Sequence, residues 1–176
     1  MALIRLSKSS IGNEEIKNVN RILKKEFLGM GNEVISFEKK LSKYFKREVV
    51  CVVNGFSALH LSLEACGIGK KDEVLVPSLT YVATYQAISA SGAKPVSCDV
   101  DFETLNISVN EIKKKITPNT KAIMPVWFGG NPSGIFEIYK IAKKFKLRVI
   151  EDSAHAFGSY INDKLVGSFG DISCFS

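Results

Sequence analysis

Cysteine, histidine and tryptophan are scarce in this chain of 176 residues, at four, two and one copies. The cysteines (Cys51, Cys66, Cys98 and Cys174) lie far apart and form no CxxC pair, which excludes a zinc ribbon or a thioredoxin-type redox pair. His60 and His155 have no metal-ligand spacing, and HExxH is absent. GxSxG, GxGxxG and the Walker A pattern are missing too, which removes the serine-hydrolase elbow, the dinucleotide fingerprint and the P-loop. No apolar run approaches the roughly 20 residues of a membrane-crossing helix. The start, MALIRLSKSS, carries no apolar leader core and no small-residue cleavage site, so no signal peptide is expected. Together with the scattered thiols this reads as a reduced, cytoplasmic protein.

Charge is present but weakly organised. Lys and Arg number 24 against 18 Asp and Glu, a formal net charge of +6. The lysine clusters at 24–25, 39–40, 113–115 and 143–144 fall on the polar faces of predicted helices, with no interleaved aromatics and no nucleic-acid-binding signature. The expectation is a solvated surface, with no nucleic-acid partner and no membrane partner. Such a positive field would still attract a phosphorylated substrate. With 45% hydrophobic and 24% charged residues, the composition is that of a globular domain with its own core.

The apolar periodicity changes character near residue 48. Before it, Ile16, Val19, Leu23 and Phe27, then Val34, Phe37, Leu41, Tyr44 and Phe45, recur at helical spacing on either side of the breaker Gly29-Met30-Gly31. Residues 1–48 are thus expected to form a helical segment. From 49 onward short β-branched runs alternate with helical ones. Strands are predicted at Val49–Val53, Glu73–Val76, Pro95–Cys98, Lys121–Val126 and Leu147–Ile150. Helices are predicted at Ser57–Cys66, Thr80–Ser91, from Ser108 with Glu111 completing a capping box, and at Ile135–Phe145. The tail from Tyr160 reads as irregular β structure around an Asn162-Asp163 turn. This alternation indicates an α/β fold with a mostly parallel sheet, in which ligands bind beyond the carboxyl ends of the strands.

The chemistry-bearing residues sit at those ends. Asn54-Gly55-Phe56-Ser57 joins a strand to a helix N-terminus, where free amides and the helix dipole suit a phosphate, although a tight turn with Ser57 as cap reads equally well. Asp152, closing the most apolar late strand, either caps a turn or holds a cation such as a protonated pyridine nitrogen. His155 follows three residues later. Tyr81 is an aromatic ring at a strand end, able to stack on a flat group or to pack in the core. His60 reads as a packed core histidine.

Taken in order, these segments resemble the DegT/DnrJ/EryC1/StrS sugar aminotransferases, enzymes that use pyridoxal 5'-phosphate (PLP). The resemblance runs through Gly29-Met30-Gly31, Asn54-Gly55-Phe56-Ser57-Ala58-Leu59-His60 and Val76-Pro77-Ser78 with Thr80-Tyr81-Val82-Ala83-Thr84. It continues through Gly92-Ala93-Lys94-Pro95, Asp99-Val100-Asp101 with Thr104-Leu105-Asn106, and Glu151-Asp152-Ser153-Ala154-His155-Ala156. Gly167-Ser168-Phe169-Gly170-Asp171 and Cys174-Phe175-Ser176 complete it.

It implies a three-layer α/β/α domain of the aspartate aminotransferase fold (type I), truncated, with residues 49–176 forming the N-terminal part of the PLP-binding large domain. It also implies roles. The amides of Gly55 and Phe56, with the hydroxyls of Ser57 and Ser176, would hold the cofactor phosphate. Tyr81 would stack on the pyridine ring, Asp152 would pair with its nitrogen, and His155 would bond its ring hydroxyl. The partners implied are a nucleotide-linked keto-sugar, an amino donor (typically glutamate) and a second copy of the full-length chain.

Three departures accompany the resemblance. Phe56 replaces a common Thr, removing one hydroxyl from the phosphate site. Trp127 stands where a His is common, and is expected to alter the substrate side of the pocket. No lysine matches the Schiff-base position, because the sequence ends at Ser176, short of that segment. Two alternatives therefore stand beside the aminotransferase: a PLP-dependent sugar dehydratase of the same family, and an inactive fragment or interaction module.

Overall fold

The computed structural model describes residues 8–176, so that residues 1–7, most of the stretch read above for a leader, lie outside it. Five strands form one parallel sheet: β1 (Glu73–Pro77), β2 (Lys94–Cys98), β3 (Thr120–Ile123), β4 (Arg148–Asp152) and, near the end, Ile172–Cys174. Two two-residue strands, β5 (Tyr160–Ile161) and β6 (Lys164–Leu165), make a separate antiparallel hairpin, so the last sheet strand is β7. The spatial order is β2-β1-β3-β4-β7. The hairpin turns on Asn162 and Asp163, both at positive φ (46° and 59°), as a tight hairpin between twisted strands requires.

Helices cover both faces. Alternation along each strand sends Val74 and Val76 to one side and Leu75 to the other, and divides Ala122 from Ile123 and Ile150 from Val149 in the same way. The first face packs on α3 (Gly55–Ala65) through Leu59 and Leu63, and on α4 (Val82–Ala90) through Ala87 and Ile88. The second packs on α5 (Val109–Lys115) through Ile112, and on α6 (Ile135–Phe145) through Ile135, Ile138 and Ile141. This is the expected three-layer α/β/α arrangement. Ser108 caps α5, its hydroxyl accepting from the Glu111 amide at 3.4 Å.

Two expectations need correction. Residues 49–53 form no strand. They are irregular, with a bend at Val53, and Val50 is 76% and Val53 85% exposed, since no neighbouring strand pairs with them. They face the outer edge of β7 across a cleft of about 840 Å³, bordered by Val49, Val52, Ala58, Leu61, Ile172 and Phe175. The tail, conversely, is more regular than expected, since β7 pairs with β4 from Ile150–Ile172 to Asp152–Cys174.

The first helix, α1 (Asn13–Leu23), ends before Phe27 and buries none of its residues. Its apolar stripe is real but meets no core. Arg21 and Lys25 reach Glu33 of α2 (Asn32–Phe45) at 2.8 and 3.5 Å, exposed ion pairs that solvent screens. At the other end of α2, Phe45 is buried against Phe157 and Phe175.

Candidate functional site

In a parallel sheet the chain leaves every strand on the same side. There the ends of β1, β4 and β7 meet the N-termini of α3 and α4. Asn54, not Ser57, caps α3: its Oδ1 accepts from the Ser57 amide at 2.9 Å. Its backbone carbonyl accepts from the Ala58 amide at 3.1 Å. The Gly55 and Phe56 amides are left with no protein acceptor among the described residues. Gly55 also admits a close neighbour, since a Cβ there would lie 2.9 Å from Ser176 Cβ and 3.1 Å from its Oγ.

Gly55, Phe56, Ser57 and Ser176 are thus brought together at the positive end of a helix, with two free amides and two hydroxyls. An anion fits such a cradle. The Phe56 ring stacks on His60 at 5.9 Å, so this residue offers the cradle a backbone amide only. His60 itself is half-buried rather than a core residue, with Nε2 3.5 Å from Glu64.

Asp152 closes β4. Its backbone is pinned on both sides, donating to Pro125 O at 2.9 Å and accepting from the Trp127 amide at 3.1 Å. Its carboxylate is almost fully buried. Oδ2 accepts from the Thr84 hydroxyl at 2.8 Å, and Oδ1 from the Ala154 amide at 3.2 Å. Thr84 is completely buried on α4, and its hydroxyl lies 2.7 Å from that of Thr80. Between these two threonines, Tyr81 is the N-cap residue of α4 and is 77% exposed, so its ring is not committed to the core. His155 is exposed and packs edge-on against Phe128 at 5.9 Å; no hydrogen bond joins it to Asp152.

A buried polar cluster stands directly behind Asp152. Glu151, fully buried, accepts from Trp127 Nε1 at 2.8 Å and from the Tyr139 hydroxyl, which in turn accepts from the Asp171 amide at 3.0 Å. Burial pushes the Glu151 carboxyl above its ordinary value despite the two donors, and it pushes the Tyr139 phenol up as well. Trp127 is itself completely buried, so it supports the sheet from within and does not line a substrate face as expected from sequence. The residues missed in the sequence are therefore Thr84, Tyr139 and Glu151. A signal for Glu151 exists: period-two alternation puts it on the Val149 face, toward α6.

Nucleophilic and metal chemistry find little support. Burial raises the thiols of Cys98 and Cys174 to about 11, far from the thiolate form. Among the described residues no group of His, Cys, Asp and Glu side chains could hold a metal ion. Lys164 is exposed and lies over the rings of Phe136 and Phe169 at 5.6 and 5.9 Å. No helix among these residues is long and apolar enough to cross a membrane.

Comparison with known proteins gives a consistent result. The DegT/DnrJ/EryC1/StrS aminotransferase family model matches residues 9–176. A GDP-perosamine synthase of Escherichia coli O157:H7 is 44% identical over all of this chain and 49% of its own length. A dTDP-3-amino-3,6-dideoxy-alpha-D-galactopyranose transaminase of Aneurinibacillus thermoaerophilus is 46% identical over 90% of this chain and 44% of its own. A Streptococcus pneumoniae protein described as a sugar aminotransferase, solved in its PMP form, superposes with a TM-score of 0.94 at 29% identity. It covers 98% of this chain and 48% of its own. The chain spans about half the length of the curated relatives it matches.

Proposed function

The chain belongs to the DegT/DnrJ/EryC1/StrS aminotransferase family, whose solved members have the type I fold of PLP-dependent aminotransferases, and from that premise we propose that it supplies much of the cofactor site of a nucleotide-sugar aminotransferase. The observation that carries this reading is the cradle at α3, where two free amides converge with Ser57 and Ser176 and a glycine keeps the space open. A phosphate monoester fits it in charge and in donor count. The second anchor is Asp152, a buried carboxylate held by two donors at the end of the adjacent strand, suited to a cationic ring nitrogen.

When bound, PLP supplies an electron sink for moving an amino group between carbon skeletons. This chain's residues would do the holding. Gly55, Phe56, Ser57 and Ser176 would hold the phosphate, and the exposed ring of Tyr81 would be free to stack on the pyridine. Asp152 would keep the ring nitrogen protonated, and His155, three residues further along the chain, would meet the ring hydroxyl. The amino acceptor is a nucleotide-linked keto-sugar and the donor is glutamate, in keeping with the sugar nucleotides in the relatives' names. The helices of residues 8–48 act as an appendage, and a second copy of the full-length chain is the expected partner.

The test is titration with pyridoxamine 5'-phosphate (PMP), which binds without a covalent lysine link, followed through the fluorescence of the single tryptophan. Saturable binding that inorganic phosphate competes away is expected, and Asp152→Asn should weaken it. A chain that binds neither PMP nor phosphate overturns the reading.

A further inference from the structure

Resting on that reading of the site, we propose that Thr84, backed by Thr80, is a positioning residue that orients the Asp152 carboxylate toward the cofactor ring. Thr84 is the third residue of α4, in its first turn, and is completely buried. Its side chain is 2.8 Å from Asp152 Oδ2 and 2.7 Å from Thr80 Oγ1.

A hydroxyl has one proton. A carboxylate oxygen can only accept, so the Thr84 proton goes to Asp152. The bond between the threonines is thereby assigned a direction: Thr80 donates and Thr84 accepts. The result is a two-step chain of hydroxyls polarised toward the carboxylate, each bond strengthening the next. Ala154 N–H occupies the other oxygen at 3.2 Å. With one donor on each oxygen, rotation about the Asp152 side chain is blocked, and the lone pairs left over have a single direction.

The same segment carries Tyr81 between the two threonines. Thr80 and Thr84 lie one helical turn apart, so their hydrogen bond closes the entry to α4 and holds Tyr81 at its cap. One short stretch therefore sets both the ring's nitrogen partner and its stacking face. The hydroxyls are what matter here, since valine would fill the same volume.

The experiment compares PMP binding by the wild-type chain with Thr84→Val, Thr84→Ser and Thr80→Val. Loss of a charge-assisted hydrogen bond to Asp152 should weaken PMP binding about tenfold in Thr84→Val. Thr84→Ser keeps the donor and should stay within about twofold, and Thr80→Val should fall between them. Inorganic phosphate should bind all four equally, because the α3 cradle is untouched. The absorption band of bound PMP separates a protonated from a neutral ring, and it should shift in Thr84→Val alone. Equal PMP affinity in wild type and Thr84→Val overturns the proposal, as does a Ser variant as weak as the Val variant, which would assign the effect to packing. Failure of the wild-type chain to bind PMP at all overturns the cofactor reading and this role with it. These outcomes are distinguishable in one series of titrations.

Discussion

Replacing Glu151 by Gln separates two forces that meet on one buried carboxylate. As an ion, Glu151 gains two donors, Trp127 Nε1 at 2.8 Å and the Tyr139 hydroxyl, each worth about 1.5–3 kcal/mol to a charged acceptor. Against them stands removal of the charge from water at a fully buried position, several kcal/mol even after relaxation. The carboxyl lies above its ordinary 4.5, so burial wins. When Glu151 is protonated, its own O–H points at Tyr139 and the phenol proton loses its acceptor. A glutamine makes the same pattern. Below pH 4.5 the two proteins should accordingly differ by less than about 1 kcal/mol.

Above that pH the folded wild-type chain holds a proton that the unfolded chain has released, so its stability falls as pH rises toward the raised folded value. The glutamine variant has no such loss. It should become the more stable protein, by about 1.4 kcal/mol for each pH unit, until the folded carboxyl ionises and the difference levels off. Urea unfolding from pH 4 to pH 8, followed through the lone tryptophan, gives the difference directly. A variant less stable than wild type at pH 7 would refute the reasoning, because the hydrogen bonds would then outweigh desolvation. Parallel pH curves would refute it equally.

Other perturbations have clear signs. Gly170 has φ +83° and an added Cβ would collide with the Tyr139 hydroxyl and come within 2.9 Å of Glu151 Oε1. Gly170→Ala should thus cost about 2–4 kcal/mol in chemical denaturation. Asn54→Ala removes the cap of α3 and should cost about 1 kcal/mol, with faster amide exchange confined to the first turn of that helix. The Arg148 guanidinium, bonded to Asp171 at 2.6 and 2.7 Å, holds that carboxyl below its ordinary value. Its contribution is present above the unfolded value and is lost as pH falls through the lowered one. Arg148→Gln should flatten the acid limb of the stability curve, and an unchanged limb would assign the acid loss elsewhere.

Most of the sheet was legible because its strands are short β-branched runs closed by Pro77, Asp99 and Asp152, and because α6 has matching ends in sequence and structure. Val49–Val53 has the same composition, yet a strand exists only where a neighbour accepts its hydrogen bonds, and composition cannot report that. β7 is hidden in the sequence for the opposite reason: three residues after Gly167 and Gly170 carry too little pattern, and pairing with β4 makes the strand. At the site, the anion cradle followed from a glycine turn before a helix. Thr84 was hidden in a run of small residues, because its role depends on a carboxylate 68 positions away. Trp127 leaves the substrate face because it follows β3 in an irregular segment, where no periodicity tells which way a side chain turns.

The two outer strands of the sheet, β2 and β7, share a detail with a bearing on how the protein behaves when concentrated. At one border the Lys115 ammonium donates to Ser97 O of β2 at 2.6 Å; at the other the Arg47 guanidinium donates to the carbonyls of Phe169 and Asp171, in the loop that enters β7, at 2.9 and 2.7 Å. Cations fixed on edge carbonyls act as gatekeepers. Two molecules meeting border to border would press like charges together, and each carries a net charge of +6 of which these cations are part. Colloidal stability should hence fall as added salt screens that repulsion.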